Sequence, residues 1–132
     1  MRSVEKKRIS LQKQGRTPKI LVVEDEPIIA LDLQVILESF GFDVCGPVPS
    51  GEESIKAASF FRPDVVLMDV KLKGKMSGLD AARIINTHLH IPIIYLTAYG
   101  DDMTVKEASE ITSFGYIRKP FVENEVEEKI RR

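Results

Sequence analysis

Five residues with acidic, hydroxyl or basic side chains stand where predicted strands end, and their types could perform chemistry together. They are Glu24 and Asp25 after Lys19–Val23, Asp69 after Val65–Met68, Thr97 after Ile91–Leu96, and Lys119 after Gly115–Arg118. Each has a structural explanation when taken singly, because strand-terminal acids cap turns, threonine suits strands and lysine is a common surface charge. The carboxyl ends of parallel strands meet at one edge of a sheet, however, and the whole set predicts one functional site there.

The chemistry of this site follows from its charge. Carboxylates in close contact repel one another, and one of them would be protonated unless a cation joined them. Oxygen ligands suit a hard, octahedral cation, which indicates Mg²⁺. Beside Mg²⁺, Asp69 could accept a phosphoryl group as a nucleophile, while the Lys119 ammonium neutralises charge and the Thr97 hydroxyl donates to a phosphoryl oxygen.

The elements that position these residues can be predicted from apolar runs and their spacing. The predicted strands are Lys19–Val23, Phe42–Val48, Val65–Asp69, Ile91–Leu96 and Gly115–Arg118, and the predicted helices span about 27–40, 50–61, 79–86, 101–112 and 122–132. Five strands that alternate with five helices predict one α/β domain, with a doubly wound parallel sheet, helices on both faces and right-handed crossovers. Pro47 favours an edge position for the second strand.

The first predicted helix carries two apolar stripes. One stripe includes Ile29 and Leu33, and the other consists of Ile28, Leu31 and Val35. Wide contact with the core is the expectation for the second stripe, and the alternative is contact with the preceding segment or with a second chain.

Composition bounds the class of protein. A chain of 132 residues with 43% hydrophobic and 30% charged residues is an ordinary globular domain, and its net charge of −1 argues against a general nucleic-acid binder. The one cysteine, Cys45, cannot form an internal disulfide, which fits a reducing, cytoplasmic location. It stands in an apolar run and is expected to be buried. No apolar run approaches the roughly 20 residues of a membrane span, so no membrane contact is expected.

Residues 1–17 form a basic lead-in to a domain that spans residues 18–132. This lead-in contains six basic residues and one acidic residue, Glu5, and its few apolar residues cannot build a core. The expectation is a tail or linker, and the alternative is a nucleic-acid or membrane patch, which the absence of aromatic residues disfavours.

At its strand ends the sequence resembles the receiver (CheY-like) domain of two-component response regulators. The motifs that carry the resemblance are Ile-Leu-Val-Val-Glu24-Asp25-Glu-Pro, Val-Leu-Met-Asp69, Tyr-Leu-Thr97-Ala98 and Gly-Tyr116-Ile-Arg-Lys119-Pro120-Phe121. The resemblance covers Pro18 to about Arg132. It implies a flavodoxin-like, three-layer α/β/α fold with strand order 2-1-3-4-5, and a regulatory domain rather than an enzyme.

The resemblance also implies a role for each site residue. Asp69 would be the phosphoacceptor, and Mg²⁺ would be bound by Asp25, Asp69 and the backbone carbonyl of Lys71, with Glu24 assisting through water. Thr97 and Lys119 would sense the phosphoryl group. The Lys119–Pro120 peptide bond is expected to be cis.

Signal output in such domains implies a movement. Thr97 would approach the phosphoryl group and vacate space for the ring of Tyr116, which would reshape the face formed by the helix 101–112, the fifth strand and the final helix. The implied partners are a histidine kinase or histidine phosphotransfer protein, and a downstream effector, an output domain or a second copy of the chain. This domain itself is not expected to bind nucleic acid.

Two features of the sequence depart from the commonest family pattern. The loop after Asp69 lacks the usual Met-Pro pair and contains Lys71, Lys73 and Lys75, which resembles receivers that are joined to sensor histidine kinases. In the family that the sequence resembles, the side chains two positions after the phosphoacceptor and two positions after the threonine control the access of water. Here these are the long side chains of Lys71 and Tyr99, so the resemblance implies a slowly hydrolysing phosphoaspartate.

Two other functions stay open as alternatives. A small-substrate, Mg²⁺-dependent phosphatase would need a second acid where Lys71 stands. A degenerate interaction domain would not need the intact set of acids, Thr97 and Lys119.

Overall fold

The structure is a computed structural model that describes residues 17–98 and 115–131. Five parallel strands form one sheet in the order β2-β1-β3-β4-β5. The strands are β1 (Lys19–Val23), β2 (Asp43–Val48), β3 (Val65–Asp69), β4 (Ile93–Thr97) and β5 (Tyr116–Arg118). The helices are α1 (Pro27–Ser39), α2 (Gly51–Phe61), α3 (Gly78–Ile84) and α4 (Glu123–Arg131). The predicted flavodoxin-like fold and strand order are confirmed.

Side chains of the central strands alternate between two apolar layers. Leu21 and Val23 of β1 pack in one layer, whereas Ile20 and Val22 pack in the other. The first layer contains buried residues of α2 and α3, and the second contains buried residues of α1 and α4. Because both faces of β1, β3 and β4 are covered, these strands need uninterrupted apolar sequence.

Helix starts follow local capping chemistry. The hydroxyls of Ser50 and Ser77 accept hydrogen bonds from the backbone N–H groups of Glu53 and Asp80, each at 3.1 Å, and so cap α2 and α3. Pro27 occupies the first turn of α1, where its missing N–H costs nothing. A π-helical segment, Ile85–Leu89, extends α3 beyond the predicted end at Asn86.

The apolar stripe Ile28, Leu31 and Val35 corrects one expectation. These side chains are 84%, 60% and 57% exposed, so the prediction of wide core contact is wrong. The physical reason is that the opposite face of α1, through Leu33 and Leu37, already fills the core.

Some of the remaining expectations about the fold are confirmed, and others concern residues that the structure does not describe. Cys45 is buried in β2, an edge strand as Pro47 predicted. The predicted helix 101–112 and Tyr99 lie outside the described residues. No helix of the described part of the chain is long and apolar enough to cross a membrane.

Candidate functional site

Backbone hydrogen bonds align the carboxyl ends of the strands. The amide of Glu24 donates to the carbonyl of Val48 at 3.0 Å, and the amide of Lys119 donates to the carbonyl of Thr97 at 2.7 Å. Asp69 pairs with Leu96 in the ladder between β3 and β4. The predicted site residues at these strand ends are therefore held at the same edge of the sheet.

Glu24, Asp25 and Asp69 form a cluster of carboxylates. Each residue offers one carboxylate oxygen, and the three oxygens lie within 4.8 Å of one another. Glu24 and Asp69 are buried, with 2% and 4% of their surfaces exposed. Like charges at this spacing and burial repel strongly, so the cluster requires a cation.

The Lys119 side chain supplies one cation. Its Nζ lies 2.8 Å from Oε1 of Glu24 and 3.1 Å from Oδ2 of Asp69. Burial alone would lower the pKa of the Lys119 ammonium, but its contacts with Glu24 and Asp69 outweigh burial and raise that pKa. Lys119 therefore stays protonated at neutral pH and neutralises one of the negative charges.

One ammonium does not balance the cluster. Burial raises the pKa of Glu24 to about 7; Lys119 opposes this shift and the neighbouring Asp69 adds to it. Oε1 of Glu24 is buried and accepts no hydrogen bond with good geometry from residues 17–98 and 115–131, although Lys119 is in ionic contact with it. The three residues offer oxygen ligands only, and Glu24 is partly protonated at neutral pH. Such a set fits a hard divalent cation, which would take the place of the proton on Glu24.

The raised pKa of Glu24 gives a prediction about stability. The pKa of Glu24 is about 7 in the folded state and near 4.5 in the unfolded state. The stability that protonated Glu24 contributes is therefore fully present below pH 4.5 and is lost as the pH rises through about 7. In EDTA, titration of Glu24 should lower the free energy of unfolding by on the order of 1 kcal/mol between pH 6 and pH 8. Urea denaturation of the wild type and of Glu24→Gln at both pH values measures it, and an equal fall in the variant would contradict this assignment.

Backbone amides orient two carboxylates of the cluster. The amide of Lys71 donates to Oδ1 of Asp69 at 3.0 Å, and the amide of Lys73 donates to Oδ2 of Asp25 at 3.0 Å. The loop after β3 therefore holds both acids: Asp69 at the end of β3, and Asp25, which precedes Lys73 by 48 residues. The contact between Lys73 and Asp25 was not predicted, because an amide donor leaves no mark in residue type.

Gly78 is a further residue at the site that was not predicted. It is the first residue of α3 and lies against the carbonyl of Asp69, where a Cβ atom would overlap the backbone. The sequence signal was the Ser-Gly pair at a helix start, which by itself indicates only a cap. The absence of a side chain at Gly78 thus allows α3 to approach the end of β3 closely.

Thr97 and Tyr116 occupy different environments. Thr97 is 1% exposed, and its hydroxyl makes a long contact of 3.5 Å with the carbonyl of Ile117. Tyr116 is 40% exposed, and Nζ of Lys129 lies 5.8 Å from the centre of its ring. The Lys119–Pro120 peptide bond is cis.

Comparison with known proteins gives a consistent result. The chain matches the family described as "Response regulator receiver domain" over residues 20–131. It is 35% identical over 103 residues to the transcriptional regulatory protein PdtaR of Mycobacterium tuberculosis, covering 78% of this chain and 50% of the relative. It is 38% identical over 104 residues to the phyllosphere-induced regulator PhyR of Methylorubrum extorquens, covering 78% of this chain and 38% of the relative. The chain thus spans half or less of the length of these relatives.

A solved structure agrees with the fold. The signal receiver domain of a modulated diguanylate cyclase from Desulfovibrio desulfuricans G20 superposes with a TM-score of 0.80 at 35% identity, covering 86% of this chain and 90% of that one. Receiver domains are regulatory modules that accept a phosphoryl group, and they are not enzymes. The family match over nearly the whole chain, together with the acid cluster and the strand order, shows that this chain belongs to the receiver domain family of two-component response regulators.

Proposed function

We propose that this chain accepts a phosphoryl group on Asp69 from a phosphohistidine of a histidine kinase or histidine phosphotransfer protein. The observation that carries the proposal is the position of the Asp69 carboxylate, which contacts the Lys119 ammonium and lies beside the carboxylates of Glu24 and Asp25. An acid buried to this degree at a strand end, and fastened by a backbone amide, is positioned as a nucleophile.

Transfer requires one bond to form and one to break. A carboxylate oxygen of Asp69 attacks phosphorus, the phosphorus–nitrogen bond to the donor imidazole breaks, and the imidazole leaves with the bonding electron pair. Asp25, Asp69 and the backbone carbonyl of Lys71 would hold Mg²⁺, with assistance from Glu24, and the ion would supply positive charge to neutralise the phosphoryl oxygens. The Lys119 ammonium contacts the Asp69 carboxylate already and can follow the charge onto the phosphoryl group.

The switch involves Thr97 and Tyr116. Among the described residues, the Thr97 hydroxyl has one long contact, with the carbonyl of Ile117, and leaving this contact for a phosphoryl oxygen costs little. Tyr116 is half-exposed, and its inward rotation would give up the contact with Lys129 and alter the face that β5 shares with α4. A downstream effector, a covalently joined output domain or a second copy of the chain would recognise this altered face.

The proposed partners follow from the family. A histidine kinase is the phosphoryl source that a response regulator receiver implies. One relative, MtrA of Mycolicibacterium smegmatis, is a DNA-binding response regulator, of which this chain matches 49%. Here the output would come from a separate protein, from a further domain or from a parent histidine kinase, and residues 18–132 would act in the cytoplasm without binding nucleic acid themselves.

Incubation with acetyl phosphate tests the proposed function. With Mg²⁺ present, intact-mass spectrometry should show a gain of one phosphoryl group, and chelation of Mg²⁺ by EDTA should suppress that gain. Sustained release of phosphate from p-nitrophenyl phosphate would instead favour the phosphatase alternative. Failure to gain a phosphoryl group with Mg²⁺ would contradict the proposal.

Lys71 gives a prediction about the lifetime of the phosphorylated state. Its backbone amide lies 3.0 Å from Oδ1 of Asp69, so the long side chain at this position begins beside the proposed phosphorylation site, where it would hinder water. We expect Lys71→Ala and Tyr99→Ala each to accelerate loss of the phosphoryl group several-fold, followed by intact mass over time. An unchanged rate in both variants would contradict the idea, and Lys56→Ala on α2 is the control.

A further inference from the structure

The exposed stripe of α1 is an apolar surface that the described part of the chain leaves uncovered. Ile28, Leu31 and Val35 follow one another at helical spacing of three and four residues, and all three are more than half exposed. Burial of such side chains is worth about 1.5–3 kcal/mol each, so a stripe of three provides a strong site for an apolar ligand.

The surroundings of this stripe are acidic and concave. At 100° per residue, Asp32 and Glu38 lie on either side of the stripe along α1, and both are exposed. A cleft of about 370 Å³ adjoins it, and its lining includes Leu31, Gln34, Glu24 and Asp25. The occupant that fits is a segment with both apolar and basic side chains.

Residues 1–16, here called the basic segment, have that composition. The whole chain has 19 basic and 20 acidic residues. The basic segment contains six basic residues and one acidic residue, so the rest of the chain contains 13 basic and 19 acidic residues. The basic segment therefore has a net charge of +5 and the remainder a net charge of −6. Its apolar residues, Val4, Ile9 and Leu11, are separated by charged and polar ones.

The basic segment is also connected at the right place. It leads into Pro18, whose carbonyl accepts a hydrogen bond of 2.9 Å from the amide of Asp43, four residues beyond the end of α1 at Ser39. From there the chain, followed backwards, can run along α1 towards Ile28. The 13 residues of α1 are about 20 Å long, and sixteen residues span up to about 50 Å when extended and about 24 Å when helical, so either conformation reaches.

We propose that the basic segment folds back along α1, covers the Ile28, Leu31 and Val35 side chains, and pairs its charges with Asp32 and Glu38. This contact does not depend on phosphoryl transfer to Asp69. It places the basic segment beside the cleft that Glu24, Asp25 and Leu31 help to line.

A spin label on the full-length chain tests the contact. With Cys45→Ala to remove the native thiol and Ser10→Cys to carry the label, we expect the α1 amide resonances to lose intensity and those around Phe60, on α2, to keep it. High salt should weaken the effect, since it screens the charge pairing. Uniform retention of intensity along α1 would overturn the proposal.

Matched variants identify the cause of any loss. The triple change Ile28→Ser, Leu31→Ser and Val35→Ser should restore the α1 intensities, whereas Phe60→Ser, at a side chain that is 80% exposed elsewhere, should not. If the triple variant fails to fold, Lys6→Glu, Lys7→Glu and Arg8→Glu together should restore them instead. In a mixture of labelled and isotope-enriched molecules, equal loss in the enriched chain would show that a second copy covers the stripe, and would overturn the proposal.

Discussion

Replacement of Asp69 by asparagine is expected to reduce phosphorylation by acetyl phosphate about a thousandfold or more, which is the scale on which loss of a nucleophile acts. The amide is nearly the same size and keeps an oxygen that can accept the hydrogen bond from the Lys71 amide, so the fold should survive. It removes the attacking carboxylate and one negative charge of the cluster. Because the pKa of Glu24 is raised in part by Asp69, that pKa should also fall in the variant.

The control for this variant is the same chemical change elsewhere. Asp43 is exposed at the start of the edge strand β2, at the opposite end of the sheet from the acid cluster, and Asp43→Asn should leave phosphorylation unchanged. Asp25→Asn should retain a weaker reaction that needs more Mg²⁺, because it removes a carboxylate of the cluster but not the nucleophile. Wild-type phosphorylation of Asp69→Asn would show that another residue accepts the phosphoryl group.

Replacement of Gly78 by alanine is expected to destabilise the fold by about 3 kcal/mol or more. The added Cβ would overlap the carbonyl oxygen of Asp69, and this neighbour is backbone in the central strand β3, which cannot move aside as a flexible side chain can. The substitution forces α3 away from the sheet or displaces the end of β3. Phosphorylation should therefore slow in the fraction that remains folded.

Gly51 provides a closely matched control for Gly78. Both glycines are the first residue of a helix and follow a capping serine, Ser50 or Ser77. A Cβ at Gly51 would meet Cγ of the Met76 side chain at 3.1 Å and Cβ of Ala81 at 3.2 Å, and the flexible methionine can yield. Urea denaturation should therefore show a much smaller loss for Gly51→Ala, and equal losses would contradict the steric explanation.

The fold was largely predictable because each strand that builds it has a strong local signal. The uninterrupted apolar run of β3 reflects burial on both of its faces, and Pro47 correctly indicated an edge strand. Glu24, Asp69 and Lys119 were predicted to meet because parallel strands end at one edge, and they lie within 3.1 Å of an ionic partner. The strands and the meeting of these side chains follow from sequence periodicity and sheet topology, which can be inferred from residue types alone.

What could not be predicted depends on tertiary geometry. Whether Ile28, Leu31 and Val35 are buried depends on how α1 is rotated against the sheet, and an apolar stripe alone does not fix that rotation. The contact from the Lys73 amide to Asp25 depends on the path of a loop, and the role of Gly78 depends on how closely α3 approaches β3. Each of these is decided by backbone placement rather than by side-chain chemistry.

Chemical mapping of the phosphorylated residue tests the central claim most directly. The wild-type chain would be phosphorylated with acetyl phosphate and Mg²⁺, reduced with borohydride to convert the acyl phosphate to an alcohol, and digested for peptide mass spectrometry. The proposed chemistry predicts homoserine at position 69, with Glu24, Asp25 and Asp64 unmodified. Reduction product at any of those acids in place of Asp69, or a phosphoryl group on a histidine that resists reduction, would contradict it.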